Sequence, residues 1–141
     1  MSTPTTFAPA YGIHRNLGSV DFDAAVAATR ASLATRGFGV LTEIDMQAAM
    51  ATKLGKTMDK YLILGACSPR HAWEAVNAEP AIGLLLPCNV VVARFDGDVF
   101  VAAIEPNAMF KVVERDDIAP LADEVAGLLQ AAIDGVTLPA S

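Results

Sequence analysis

The sequence has only two cysteines, Cys67 and Cys88, and no C-x-x-C pair. A zinc ribbon and a thioredoxin-like motif are therefore absent. A structural disulfide is not expected in a reducing cytosol. Positive charge is also scarce: Lys and Arg number 10 against 16 Asp and Glu, a net charge of −6. That balance lacks the basic footprint of a nucleic-acid binder, and it gives no attraction to an anionic membrane surface. Long apolar runs are missing as well. The charge-free middle stretch, Pro80 to Ala93, is shorter than the roughly 18–20 residues a bilayer span needs. Pro80, Gly83 and Pro87 interrupt it. No charged segment followed by an apolar one opens the chain, so no signal peptide is expected and the expected location is cytoplasmic. No P-loop, GxGxxG, HExxH, GxSxG or EF-hand pattern occurs.

What is present is apolar. Hydrophobic residues make up 53% of 141 and charged residues 18%, which excludes disorder and suits one domain. Residues 1–10 read as a flexible terminal segment and 11–135 as the single domain. Tyr11 to Leu17 alternates like a half-buried strand, with His14 on its polar face. Asp21 caps a helix that follows Phe22, Ala25, Val26, Thr29 and Leu33 and stops at Gly37. Phe38 to Ile44 is a strand. Met46 to Leu54 is a short helix capped by Asp45. Tyr61 to Cys67 is apolar on both faces, as a central strand is.

Ser68-Pro69 gives a cap followed by proline at the first helical position, starting a helix over Arg70 to Ala78. Val90 to Phe95 and Val99 to Ile104 flank Asp96-Gly97, a type I′ hairpin signal. Ile118, Leu121, Ala122, Val125, Leu128, Leu129, Ala132 and Ile133 form one broad stripe on a last helix, with Asp117 as its expected cap. The expected fold is α+β: a mainly antiparallel sheet with two long helices packed on one face, in the order β-α-β4-α with short inserted helices.

Chemistry concentrates in two segments, Leu64 to Pro69 and Leu84 to Val90. Each places a cysteine at a strand end beside a proline. Cys67 adjoins a helix start, where N–H groups and the helix dipole favour an anion and lower a thiol pKa. His71 follows one turn later. Cys67 and His71 form a candidate thiolate–imidazole pair, and Cys67, His71 and Cys88 a possible soft-metal set. The simpler reading of each cysteine is a small buried hydrophobe, and of His71 a solvated helix position. Trp73 reads as core or dimer interface. Glu43 and Asp45 flank Ile44 as a candidate carboxylate pair, but the simpler reading leaves Asp45 as a helix cap. If the Cys67 and Cys88 strands are adjacent and antiparallel, the two thiols converge at one edge. A right-handed crossover would separate them. The hairpin favours the antiparallel case.

Three ordered strings carry a resemblance: Gly37-Phe38-Gly39-Val40-Leu41-Thr42-Glu43-Ile44-Asp45, Tyr61-Leu62-Ile63-Leu64-Gly65-Ala66-Cys67-Ser68-Pro69 and Gly83-Leu84-Leu85-Leu86-Pro87-Cys88-Asn89-Val90-Val91-Val92. They resemble domain-of-unknown-function family 302 (DUF302) over roughly Tyr11 to Ile133, departing at Ser68, where that family usually shows asparagine. The resemblance implies a fold similar to the TATA-box-binding protein and homodimers, but no activity.

The reading that results is a small homodimeric binding module. Its ligand site comprises Cys67, Ser68, His71, Cys88 and Asn89, and its ligand is a small anion, a thiol compound or a soft metal. The alternatives are a thiol enzyme using Cys67 and His71, or a purely structural protein. A mean hydropathy of +0.40 in so short a chain supports self-association.

Overall fold

The computed structural model describes residues 7–138. Five strands form one sheet: β1 (Gly12–Asn16), β2 (Gly39–Asp45), β3 (Tyr61–Cys67), β4 (Cys88–Phe95) and β5 (Asp98–Ile104). Their spatial order is β1-β5-β4-β3-β2, and every neighbouring pair is antiparallel. Five α-helices are inserted: α1 (Phe22–Thr35), α2 (Met46–Leu54), α3 (Pro69–Ala78), α4 (Pro106–Phe110) and α5 (Ala119–Asp134). Short 3-10 turns cover Pro80–Leu85, Lys111–Val113 and Asp116–Ile118. The α+β order expected from the sequence stands. No helix among the described residues is long and apolar enough to cross a membrane.

The local chemistry explains most of these elements. The Asp21 carboxylate accepts from Ala24 N–H and starts α1, and the Asp45 carboxylate accepts from Ala48 N–H and starts α2. Asp96 and Gly97 both take positive φ, 52° and 84°, which is the type I′ requirement, and they close the β4–β5 hairpin. α1 and α5 cover one face of the sheet. Leu33, Leu64, Val90, Val101, Leu129 and Ile133 fill the space between them, all essentially inaccessible to solvent.

The register places Ile44, Ile63, Val91, Ala102 and Phe100 on the opposite face. One end of that face is covered by Phe7, whose ring packs against Phe95 and Phe100 at centroid distances of 6.4 and 5.2 Å. So the part of the expected flexible segment that is described, from Phe7 on, packs on the sheet; residues 1–6 lie outside the described residues.

Several expectations are corrected. β1 is shorter than Tyr11 to Leu17, and β2 is shifted by one residue, from Gly39 to Asp45. A register shift between Val40 and Thr42 marks a bulge at Leu41, which breaks the simple alternation. Asp117 does not cap α5. Its carboxylate is held by the Arg115 guanidinium, and Ile118 stands at the cap position without a side-chain hydrogen bond. Trp73 is not core: it is 73% exposed. The carboxylates of Glu43 and Asp45 do serve separate structural ends, an ion pair with Arg30 and a helix cap.

Candidate functional site

β3 runs straight into α3, and β4 begins beside the end of β3. In the β3–β4 register Ala66 faces Cys88, so Cys67 stands one residue past the partner of Cys88. The adjacent antiparallel arrangement expected from the hairpin is therefore present. A cavity of about 30 Å³ opens at this end of the sheet, between the strands, α3 and α5. Cys67, Ser68, His71 and Cys88 all line it. Asn89 does not. It pairs with Gly65 in the register and is exposed on the other face of the sheet. The rest of the wall is apolar, chiefly Phe38, Ala75, Leu86, Phe110 and Val125.

Gly65 is required beneath this end of the sheet. A Cβ there would collide with Thr42 Oγ1 and stand 2.8 Å from Pro87 Cγ. The missing side chain lets β2 and the Pro87 segment close over β3.

His71 is not a solvated helix residue: only 6% of it is exposed. A buried imidazole needs partners, and both ring nitrogens have one. Nε2 lies 3.0 Å from Glu124 Oε1 on α5. A carboxylate only accepts, so Nε2 carries the proton and donates. Nδ1 is then the acceptor, and the Ser68 hydroxyl donates to it over 2.6 Å. Ser68 occupies the cap position of α3, yet its side chain makes no capping hydrogen bond; the hydroxyl is turned to His71 instead. Glu124 also receives the Arg70 guanidinium. The hydrogen bond from His71, reinforced by the positive charge of Arg70, holds the Glu124 carboxyl below its usual range.

A second tie holds the other end of α3 to the segment that leads into α5. Arg115 donates to the Ala78 carbonyl and pairs with Glu79 and Asp117. α3 is thus fastened near its start through His71 and Arg70, and at its end through Arg115.

The thiols depart from expectation. The helix start was expected to lower the Cys67 pKa, but burial pushes it up. Burial and the neighbouring Cys67 charge push Cys88 up to about 11. Desolvation is the leading cause at both thiols. Both thiols are free and protonated at neutral pH. Among the described residues, no three of His, Cys, Asp and Glu stand together as a metal would require. His71 has no lone pair to offer such an ion while Ser68 and Glu124 hold it.

Glu124 was not singled out from the sequence. It lies on α5 beside Val125 and three residues after Leu121, at the margin of the apolar stripe. A carboxylate at that margin was the available signal.

The family model described as "Domain of unknown function DUF302" matches residues 13–136. The chain belongs to the DUF302 family. A solved structure titled "Crystal structure of uncharacterized conserved protein DUF302 from Bacillus stearothermophilus" is similar to it, with a TM-score of 0.84 at 21% identity. The superposition covers 92% of this DUF302 chain and 100% of that one. At that identity the likeness shows a shared fold. No curated protein matches.

Proposed function

We propose that this DUF302 protein is a binding module for a small molecule held in the Cys67–His71–Cys88 cavity. The observation that supports this most is the wall chemistry: an apolar enclosure with one polar end, made by Ser68 and His71. Such a site takes a compact apolar group with a single polar head, a small carboxylate or a small thiol compound. A soft metal is disfavoured by the protonated thiols and the engaged imidazole. The same two facts count against a Cys67 thiolate activated by His71.

Titration with propionate and with 2-mercaptoethanol, followed by amide NMR, tests the reading. The amides of Cys67, Ser68 and His71 are expected to shift. The Ala75→Phe variant, which fills the cavity, is expected to lose the response while keeping the remaining spectrum. No shift with either probe, or equal shifts in both proteins, overturns the proposal. Should Ala75→Phe not fold, Ala72→Val serves the same comparison from a half-buried position on the same wall.

We also propose that the chain self-associates through the β2–α2 side. β2 is an edge strand, and Leu41, Ile44 and Leu54 are exposed at 67%, 48% and 64%. Exposed apolar side chains on an unpaired edge favour a covered arrangement. Light scattering at micromolar concentration is expected to give a dimer, and Ile44→Asp to shift it toward monomer. A monomer of the unaltered chain at that concentration overturns the proposal.

A further inference from the structure

Ser68, His71 and Glu124 form a continuous hydrogen-bonded chain: hydroxyl to imidazole at 2.6 Å, imidazole to carboxylate at 3.0 Å. The order is nucleophile, base and orienting acid, with the two ring nitrogens in the reverse of their usual assignment. Three features give the chain a reactive sense. First, the imidazole is buried and its tautomer is fixed by Glu124, which leaves the lone pair of Nδ1 aimed at the Ser68 hydroxyl. Second, Ser68 is not occupied as a helix cap and it lines the cavity. Third, the first intrahelical acceptance in α3 runs from Ala72 N–H to the Ser68 carbonyl, so the N–H groups of Arg70 and His71 lie ahead of the α3 ladder beside the hydroxyl.

We propose that Ser68 accepts the acyl group of small oxygen esters, with His71 as general base. This rests on the cavity being a ligand site, the reading given above. In the first half-reaction Ser68 Oγ bonds to the ester carbonyl carbon and its proton passes to His71 Nδ1. The C–O bond to the leaving group breaks, and the leaving alkoxide takes that proton from Nδ1 as it departs as an alcohol. In the second half, water attacks the acyl-serine carbonyl. Its proton passes to Nδ1 and on to the departing Ser68 Oγ, which releases a carboxylic acid. The free N–H groups at the start of α3 are the donors available to the oxyanion in both halves. Glu124 is a positioning residue: it touches His71 and holds the tautomer. The apolar walls and the small volume restrict the acyl part to a short chain.

The test uses the full chain with 4-nitrophenyl acetate. Release of 4-nitrophenol above the buffer rate is expected, together with an acetyl adduct on the Ser68 peptide after an acid quench. Ser68→Ala and His71→Gln are each expected to lose about 100-fold or more of the rate. Glu124→Gln is expected to lower the turnover number and alter its pH profile, and Glu124→Asp to restore part of both; loss of a merely structural tie would change the melting temperature and leave the pH profile in place. No release above buffer, an adduct on Cys67 instead of Ser68, or an unchanged rate in Ser68→Ala each overturns the proposal. Adduct mapping uses the unaltered protein, so it stands even if a variant does not fold. An inert Ser68 in a protein whose cavity amides still respond to propionate overturns this inference alone. An acetyl-Ser68 adduct formed equally in Ala75→Phe would instead overturn the cavity reading on which it rests.

Discussion

Leu129→Ala is expected to cost about 2–5 kcal/mol, through lost transfer free energy and the cavity left behind. Leu129 has no solvent exposure and sits among Leu33, Val101 and Ile133, where α5 lies on the sheet. Its neighbours belong to separate elements, so they cannot collapse together to fill the space. Each kcal/mol corresponds to roughly 2–8 °C in a domain of about this size, so thermal unfolding should fall by about 10 °C. Leu128→Ala is the control. Leu128 is only partly buried at the margin of the same cluster, so its cost should be smaller. A melting temperature unmoved by Leu129→Ala would mean that α5 does not cover the sheet.

The second large effect is alkaline. Cys88 is 6% exposed, and its folded pKa is about 11 against a reference of 9.0. As pH rises past 9 the unfolded thiol gives up its proton first, so the native state holds the extra proton. Stability therefore falls between pH 9 and 11; the contribution is present in full below 9 and lost as pH climbs through 11. At about 1.4 kcal/mol per pKa unit, the total approaches about 3 kcal/mol. Urea unfolding of the native chain and Cys88→Ala across this range isolates it, because every other group titrates in both. The difference between the two curves should shrink or reverse as pH rises. Parallel curves would show that Cys88 is not desolvated in the folded protein.

The local signals in the sequence were reliable where one element decides its own shape. Tyr61 to Cys67 is a central strand because both faces are apolar, and Asp96-Gly97 turns because both residues tolerate positive φ. Tertiary contacts decided the rest. Asp117 carries a good capping side chain, yet Arg115 claims it. α4 had its own start signal: Glu105 accepts from Ala108 N–H, with Pro106 at the first helical position. The expectation from the sequence places no helix there, because five residues are too few to show an apolar stripe. Four of the five expected site residues do line one cavity, since the cysteines end and begin adjacent strands. Asn89 fails by the period of two along β4, which turns it to the other face. Glu124 was hidden because nothing local to α5 reveals that α3 packs beside it. The raised thiol pKa values were hidden for the same reason: burial is a property of the packed molecule, while the helix start can be read from Ser68-Pro69.

α3 is held at both ends, to α5 and to the segment that leads into it, and the two ties act as a fixed gauge. One end is set by the His71–Glu124 and Arg70–Glu124 contacts, the other by Arg115 on Ala78 and Glu79. A single tie would leave a pivot about which α3 could swing; two ties remove that freedom. Widening the gap means breaking charge-assisted hydrogen bonds at both ends together. Leu86 and Phe110 line the cavity and take part in neither tie. For the ligand proposed above, a gap of fixed width makes girth the first test of admission, before any polar contact is read.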